Sequence, residues 1–291
     1  MTILVFGQTG QVARSLAALE ARAPAPLQFL GRHEADLAEP ARCAAMIEAH
    51  KPVAVINAAA WTAVDAAEAA EAESMVINGE TPGAMAGACA RLGIPFLHIS
   101  SDYVFDGSGT TPWSPDSSVA PLGAYGRSKA AGERLIQASG ARALILRTSW
   151  VFSPFGANFV KTMLRLGAER ERLSVVDDQV GGPTSADAIA RALLTLTEAL
   201  LAGHPGGLYH FAGAPAVSWA GFASEVIKRA GLSCAIDPIP SEAYPTPAPR
   251  PRNSRFACEA LLSDFRIPQP DWQADLVKVL KHLAEESSRD T

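Results

Sequence analysis

The feature that most constrains this chain is a regular alternation of short, largely apolar runs with longer alanine-rich stretches, sustained from residue 1 to about residue 147. The apolar runs predict strands at residues 3–6, 27–30, 53–56, 96–99 and 143–146. A strand that is apolar at successive positions needs cover on both faces, the condition of a parallel strand between two helical layers. The intervening stretches predict helices over 12–21, 40–50, a long span ending near Leu92, and 125–139. Gly93 with Pro95, and Gly140, supply stop signals. This rhythm reads as an α/β fold built on a doubly wound parallel sheet.

After Trp150 the rhythm changes. Helices are expected over 159–170, 185–201, 218–230 and 271–283, joined by short strands and longer loops. Residues 1–150 therefore form one expected domain and residues 151–291 a smaller C-terminal α/β lobe, some of whose segments return to the sheet. Within that lobe, Ser241 to Arg255 reads SEAYPTPAPRPRNSR, a proline-rich, basic run in an acidic protein. It reads either as an extended surface loop or as a cationic loop closing over an anion, with proline stiffening the backbone that carries Arg250, Arg252 and Arg255.

Composition excludes several classes. At 48% hydrophobic and 19% charged over 291 residues, the chain can bury a sizeable core and is not disordered. A net charge of −5 argues against a nucleic-acid partner, whose phosphates call for clustered Lys and Arg. Cys43, Cys89, Cys234 and Cys258 form no CxxC pair or Cys/His cluster, so neither a zinc site nor a disulfide framework is expected. Scattered thiols suit a reducing cytoplasm. The N-terminus reads as a strand rather than a signal peptide, and no apolar run is long enough to span a membrane.

Gly7-Gln8-Thr9-Gly10-Gln11-Val12-Ala13 follows the first expected strand and opens the first helix. That context is the one a dinucleotide turn requires: Gly7 for the tight turn, Gly10 for close approach of a pyrophosphate, and free N–H groups at the helix start. The first domain is thus expected to be a Rossmann-type dinucleotide-binding domain. At the end of the second strand stands Leu30-Gly31-Arg32-His33, with no carboxylate at the tip to meet a ribose 2′-hydroxyl. Arg32 suits a 2′-phosphate, which favours NADPH, with NADH as the alternative. The Asp36 carboxylate is expected to face the adenine amino group, or else to cap a turn.

Tyr125 and Lys129 stand at i and i+4 of one expected helix and so share a face. Ser100-Ser101-Asp102 lies just past the fourth strand, at the sheet edge where open α/β folds bind ligands. Hydride added to a carbonyl carbon leaves an alkoxide that needs a proton and hydrogen bonds. Tyr125 is the expected proton donor, Ser101 the hydroxyl that holds the oxygen, and Lys129 the charge that lowers the phenol's proton affinity and holds the nicotinamide ribose. At ~5 Å such a charge favours tyrosinate by ~3 kcal/mol at an effective dielectric of ~20.

With these residues in place the chain resembles the extended short-chain dehydrogenases/reductases over nearly its whole length. The shared segments include GQTGQV from Gly7, NAAAWTAVDAAE from Asn57, SSDYVFDG from Ser100 and APLGAYGRSKAAGE from Ala120. More specific are RTSWVF from Arg147, NFVKTMLRL from Asn158, DDQVGGPT from Asp177 and AYPTPAPRPRNSR from Ala243. They point to the branch that reduces a dTDP-linked 4-keto-6-deoxy sugar. The resemblance implies NADPH-dependent reduction of C4 of dTDP-4-dehydro-β-L-rhamnose to dTDP-β-L-rhamnose. It implies cofactor contacts at Gly10, Gln11, Val12, Asp36, Leu37, Ala60, Trp61, Thr62, Tyr125 and Lys129, besides Gly7 and Arg32 read from the turn. Substrate contacts are implied at Ser101, Asp102, Trp150, Arg250 and Arg255.

The family's glutamate-rich magnesium site begins on the first helix, where this chain has Ala13-Arg14-Ser15-Leu16. Neither Arg14 nor Ser15 offers a carboxylate to a hard cation, so no metal is expected, and a monomer or weak homodimer is. Two alternatives are a related nucleotide-sugar epimerase or dehydratase and a noncatalytic NADP-binding regulatory subunit, such as the relatives that serve as the beta subunit of methionine adenosyltransferase. Dehydration calls for a second carboxylate after the site hydroxyl, and here Tyr103 follows Asp102.

Overall fold

The protein is described from a computed structural model covering residues 1–288. In chain order the first part comprises β1 (Ile3–Phe6), α1 (Gln11–Ala18), β2 (Leu27–Leu30), α2 (Pro40–His50), β3 (Ala54–Asn57), α3 (Val64–Ala69), α4 (Glu71–Met75), α5 (Thr81–Leu92), β4 (Phe96–Ser101), α6 (Ala124–Ala138) and β5 (Ala143–Thr148). The second part comprises β6 (Val151–Phe152), α7 (Phe159–Glu169), β7 (Arg172–Val176), β8 (Val180–Gly181), β9 (Thr184–Ser185), α8 (Ala186–Leu201) and β10 (Gly207–His210). It continues with β11 (Val217–Ser218), α9 (Trp219–Arg229), β12 (Ala235–Ile239), β13 (Asn253–Ser254), α10 (Glu259–Phe265) and α11 (Trp272–Ser287).

Six parallel strands form the central sheet in the order β10-β5-β4-β3-β1-β2. Chain order reverses beside β1, so the Gly7 turn opens at the carboxyl edge where this architecture places ligands. Side chains alternate between two covering layers. Ile3, Val5, Ile56 and Leu97 pack with Leu16 of α1 and Ile189 and Leu193 of α8, all fully buried. Leu4, Phe6, Val55 and Phe96 pack with Ile47 of α2 and Met85 and Cys89 of α5. Each buried Leu or Ile side chain contributes roughly 1.5–3 kcal/mol.

The break at Trp150 is a break in rhythm more than in space, because the chain returns to the sheet: α8 packs on α1 and β10 pairs with β5. The remaining lobe has its own core of Phe152, Val160, Leu173, Phe222, Val226, Trp272 and Leu276. It carries the β7–β12 pair and the small β11-β8-β13 sheet. Among the described residues no helix is long and apolar enough to cross a membrane.

The expected long helix before Leu92 is three helices. It breaks at Ala70 between α3 and α4, and a π-helical turn at Val76–Glu80 leads into α5. The wider turn carries Asn78, whose Oδ1 accepts from Trp61 N (2.9 Å) while its Nδ2 donates to Trp61 O and to Ser128 Oγ of α6, both at 3.0 Å. Gly132 of α6 rests against the same turn, and a Cβ there would lie 2.2 Å from the Asn78 carbonyl oxygen. Gly132→Ala is therefore expected to cost about 1–3 kcal/mol, as overpacking does, read as a lowered urea midpoint, with activity falling as α6 shifts.

Candidate active site

The site is assembled at the carboxyl edge from three chain segments. At the end of β1, Gly7 takes φ +111°, and a side chain there would press on the Ala58 backbone 3.3 Å away. Gly10 caps α1 with no side-chain hydrogen bond. The N–H groups of the first turn of α1 thus face outward at the positive end of the helix dipole, beside exposed Gln8, Thr9 and Gly10. An open, uncapped glycine turn of this kind fits a dinucleotide pyrophosphate. The Gln11 side chain is committed elsewhere: its Oε1 accepts from Ser153 Oγ (2.8 Å) and Asn158 Nδ2 (3.1 Å), tying the turn to the lobe. Its Nε2 lies 3.5 Å from Val151 O, and its backbone N–H stands in the first turn of α1.

The tip of β2 bears on two expectations. The 31–35 turn folds Glu34 back so that its Oε2 accepts from Gly31 N (2.9 Å), placing a carboxylate where the linear sequence has none. Asp36 takes the turn-capping alternative. Its Oδ1 accepts from Ala38 N (2.9 Å) and its Oδ2 from Arg32 Nε (3.1 Å), and the Ala38 bond is the main cause that holds its proton affinity below the usual carboxylate range. The Arg32 side chain is 78% exposed and so remains accessible to a phosphate. The Leu37 side chain is buried in the core, while Ala60 and Thr62 are exposed and Trp61 is half-buried on the loop after β3.

Ser101, Tyr125 and Lys129 come together where β4 ends. Glu68 of α3 positions α6 by accepting from Ala124 N at its first turn (2.8 Å). Tyr125 is 9% and Lys129 2% exposed. Burial pushes the Tyr125 phenol up to about 12, with its contact to Ser101 pulling the other way. Burial also pulls the Lys129 amine down to about 8, against the smaller pull of Glu133 in the other direction. In the cofactor-free protein, burial is the largest influence on both groups. Lys129 Nζ turns to β4 instead, donating to Ile99 O at 2.7 Å and meeting His98 Nε2 at 3.1 Å.

Asp102 also differs from expectation. It is 3% exposed and both carboxylate oxygens are used internally, Oδ1 by Ser101 Oγ (3.0 Å) and Oδ2 by Ser254 Oγ of β13 (2.5 Å). It links the site to the lobe through Ser254 and sets the Ser101 hydroxyl, rather than offering a free carboxylate to a sugar. Trp150 adopts φ +50°, and its ring stacks on Trp219 with centroids 3.5 Å apart, so one aromatic face is already covered. Arg250 Nη2 pairs with Asp65 Oδ2 (2.8 Å), and its guanidinium carbon lies 6.0 Å from the centre of the Tyr103 ring, which itself packs edge-on to Tyr125. Its Nη1 is buried with no partner, a donor left unspent beside the site. Arg255 Nη1 donates to Asn253 Oδ1 (3.0 Å).

Reading the residues one by one missed His98, Asn57, Asn78, Ser254, Trp219 and Glu34. The signal for the first two was present: a histidine interrupts the otherwise apolar run 96–99, and an asparagine directly follows the apolar run 53–56. On the first helix, Arg14 stacks over Phe155 at 4.1 Å and Ser15 is buried. Among the described residues no group of three His, Cys, Asp or Glu side chains converges to hold a metal ion.

Fold and site together define a dinucleotide-binding α/β protein of the reductase class, with its polar groups at the switch point of a parallel sheet. The family model of the RmlD substrate binding domain matches residues 1–285, and the chain belongs to that family. It is 45% identical over 290 residues to a dTDP-4-dehydrorhamnose reductase of Burkholderia thailandensis, covering 94% of this chain and 96% of that one. Its structure is similar to a dTDP-4-dehydrorhamnose reductase of Clostridium acetobutylicum, with TM-score 0.92, 32% identity and coverage of 98% and 100%. It is similar as well to the Bacillus anthracis dTDP-4-dehydrorhamnose reductase in complex with NADP, with TM-score 0.89, 30% identity and coverage of 97% and 99%.

Asp102 yields a pH prediction. Burial, opposed by bonds from Ser254 and Ser101, raises its carboxyl from 3.8 to about 6. A carboxyl whose folded value lies above its unfolded value favours the folded state at low pH, and that contribution is lost as pH rises from about 4 through about 6. Asp102→Asn removes this dependence. Urea unfolding should show the variant gaining about 3 kcal/mol on the parent between pH 4 and pH 8; a pH-independent difference would contradict this account of the carboxyl.

Proposed function

We propose that this protein reduces the C4 keto group of dTDP-4-dehydro-β-L-rhamnose to give dTDP-β-L-rhamnose, with NADPH as reductant. The observation that carries the reading is the convergence of Tyr125, Ser101 and Lys129 on the end of β4, beside the open glycine turn. The Burkholderia, Clostridium and Bacillus relatives that bear the name of this activity match 94–98% of the chain, and one was solved with NADP.

NADPH, when bound, supplies the hydride. The first turn of α1 would hold its pyrophosphate, and Arg32 would meet its 2′-phosphate, with Glu34 opposing and so moderating the preference over NADH. Tyr125 stays protonated across the neutral range because burial has raised its proton affinity, so it arrives at the reaction as a proton donor. As hydride reaches C4, the carbonyl oxygen takes the Tyr125 proton and becomes the hydroxyl of the product. Ser101, whose hydroxyl accepts from Tyr103 N and rests its one proton on Asp102 Oδ1, would turn that proton to the oxygen as charge develops. Arg250, with an uncommitted donor next to Tyr103, is suited to the diphosphate of the nucleotide sugar, and Arg255 lies on the same loop. Trp150, half-buried and stacked on Trp219, would offer the sugar or base what remains accessible of its ring.

The lobe beyond Trp150, apart from α8 and β10, is the substrate-binding part in this reading. The protein works in the cytoplasm as a monomer or weak homodimer, a reading supported by four buried free thiols and by Arg14 and Ser15 on the first helix.

The test is NADPH oxidation with a panel of nucleotide-linked 4-ketosugars. Turnover is expected with the dTDP-linked 6-deoxy-4-ketosugar, and Tyr125→Phe should lower kcat by roughly 10²–10⁴-fold while leaving the melting temperature within a few degrees. A Tyr125→Phe enzyme as fast as the parent would end this mechanism.

A further inference from the structure

Among the described residues three other than glycine take up the left-handed backbone region: Lys51, Trp150 and Arg266. Lys51 and Arg266 close α2 and α10, where such a residue is ordinary. Trp150 closes no helix. It stands between β5 and β6 at φ +50°, where a Cβ crowds the following carbonyl and a bulky residue stays only because its surroundings hold it.

Three contacts hold it. The indole lies flat on that of Trp219, with centroids 3.5 Å apart and planes 9° from parallel. It also rests against Gly181 of β8, where a Cβ would stand 2.9 Å from Cε2 and 3.1 Å from Cζ2 of the ring, so glycine is what leaves the indole its place. The Trp150 carbonyl accepts from Thr184 N at 3.2 Å. Of the two stacked rings Trp219 is the anchored one. It opens α9 directly after Ser218, whose Oγ accepts from Gly221 N at 3.0 Å and fixes the helix start. Its ring centre lies 4.5 Å from that of Phe159 and 6.3 Å from that of Phe222, both part of the lobe core. Aromatic rings left to themselves slide or tilt away from full overlap. At 3.5 Å these two overlap almost completely, so the pairing is imposed by what surrounds them.

The ring held in this way is next to the reaction site. Trp150 follows Thr148 by two residues, and Thr148 pairs with Ser101 across β5 and β4. Gly181 stands in register with Ser254 of β13, and Ser254 Oγ donates to the same Asp102 carboxylate that accepts from Ser101 Oγ.

We propose that Trp219 is a positioning residue for the sugar: it acts through Trp150, pinning that indole in its left-handed conformation so that the accessible part of the ring meets the sugar of the nucleotide-linked substrate. Trp219 itself touches no reacting atom. Without it, Trp150 is released to the extended backbone that a tryptophan prefers, and its ring leaves the sugar's place while Ser101 and Tyr125 stay in theirs. The loss then falls on substrate binding rather than on the chemical step, because an aromatic platform holds ground state and transition state alike. The inference rests on the proposed function, since it takes the substrate to be a sugar lying against Trp150.

The test is a double-mutant cycle on substrate affinity. Both tryptophans are half-buried, so single substitutions leave most of the core in place. Trp219→Leu is expected to raise KM for the dTDP-linked 6-deoxy-4-ketosugar about tenfold, on the order of one aromatic contact. Its kcat should stay within about twofold of the parent. In a Trp150→Ala background the same change should cost nothing further, because the ring through which Trp219 acts is gone. Trp219→Phe, which keeps a flat ring under Trp150, should restore most of the lost affinity. An unchanged KM in Trp219→Leu, or losses that add in the double variant as those of a merely structural residue would, overturns the proposal. Should Trp219→Leu fail to fold, Trp219→Met, which fills more of the volume without a flat ring, takes its place in the cycle.

A second readout needs no turnover. With fluorotryptophan incorporated, the five tryptophans give separate fluorine resonances, assigned by substitution. dTDP-β-L-rhamnose added to the parent should move the Trp150 resonance, and the same concentration should leave it in place in Trp219→Leu; a parent whose Trp150 resonance ignores the ligand overturns the proposal. A parent that turns over no member of the ketosugar panel ends the reading of the reaction and this inference with it. A parent that turns the sugar over while the cycle is additive ends the inference alone.

Discussion

The arrangement depends on the packing of α6 against the carboxyl-terminal half of β4, which strips water from a phenol and an amine at once. Gly132 lets the helix close on the turn that carries Asn78, and Glu68 supplies the carboxylate that satisfies its first N–H. Once packed, the helix holds Tyr125 and Lys129 where the cost of charge is high. Taking either charge out of water carries a desolvation cost. The fold resolves the conflict by keeping the phenol protonated and weakening the amine's hold on its proton. A protonated phenol is the form needed to donate to an incipient alkoxide, so the same desolvation that threatens stability prepares the chemistry.

The lobe is fastened to this centre by a few specific bonds. Gln11 reaches from the start of α1 to Ser153 and Asn158, Asp102 receives Ser254 from β13, and Arg250 crosses to Asp65 on α3. Each contact joins a sheet-edge segment to a segment more than one hundred residues later, and each lies beside a residue assigned to cofactor or substrate. The site is thereby closed by the lobe rather than merely flanked by it. Asp102 bears on both tasks, since its carboxylate fixes the Ser101 hydroxyl and holds the lobe strand.

Much of this was legible from the residues in order. β1, β2 and α2 have the bounds read from the sequence, because glycine after each strand and proline at the helix start punctuate them locally. The i, i+4 spacing of Tyr125 and Lys129 on one helix needed no tertiary information. What was not legible depends on contacts between distant segments. Glu34 reaches the tip of β2 only because the 31–35 turn doubles back, and Asp36 spends its carboxylate on that same turn. The stacking of Trp150 on Trp219 joins residues 69 apart, and the broken helix before Leu92 answers to Trp61 and Ser128. The i, i+4 spacing also says nothing of the burial that acts on both groups, which depends on the packing of α6 against β4.

The most direct test of this account is an ultraviolet difference titration of the cofactor-free parent against Tyr125→Phe, which isolates the ionisation of one phenol among four tyrosines. The account predicts no tyrosinate signal from Tyr125 below about pH 10, because burial has raised its proton affinity. A difference signal developing between about pH 6 and pH 8 would show that the lysine charge prevails over desolvation. The account of a buried, protonated donor would then be wrong.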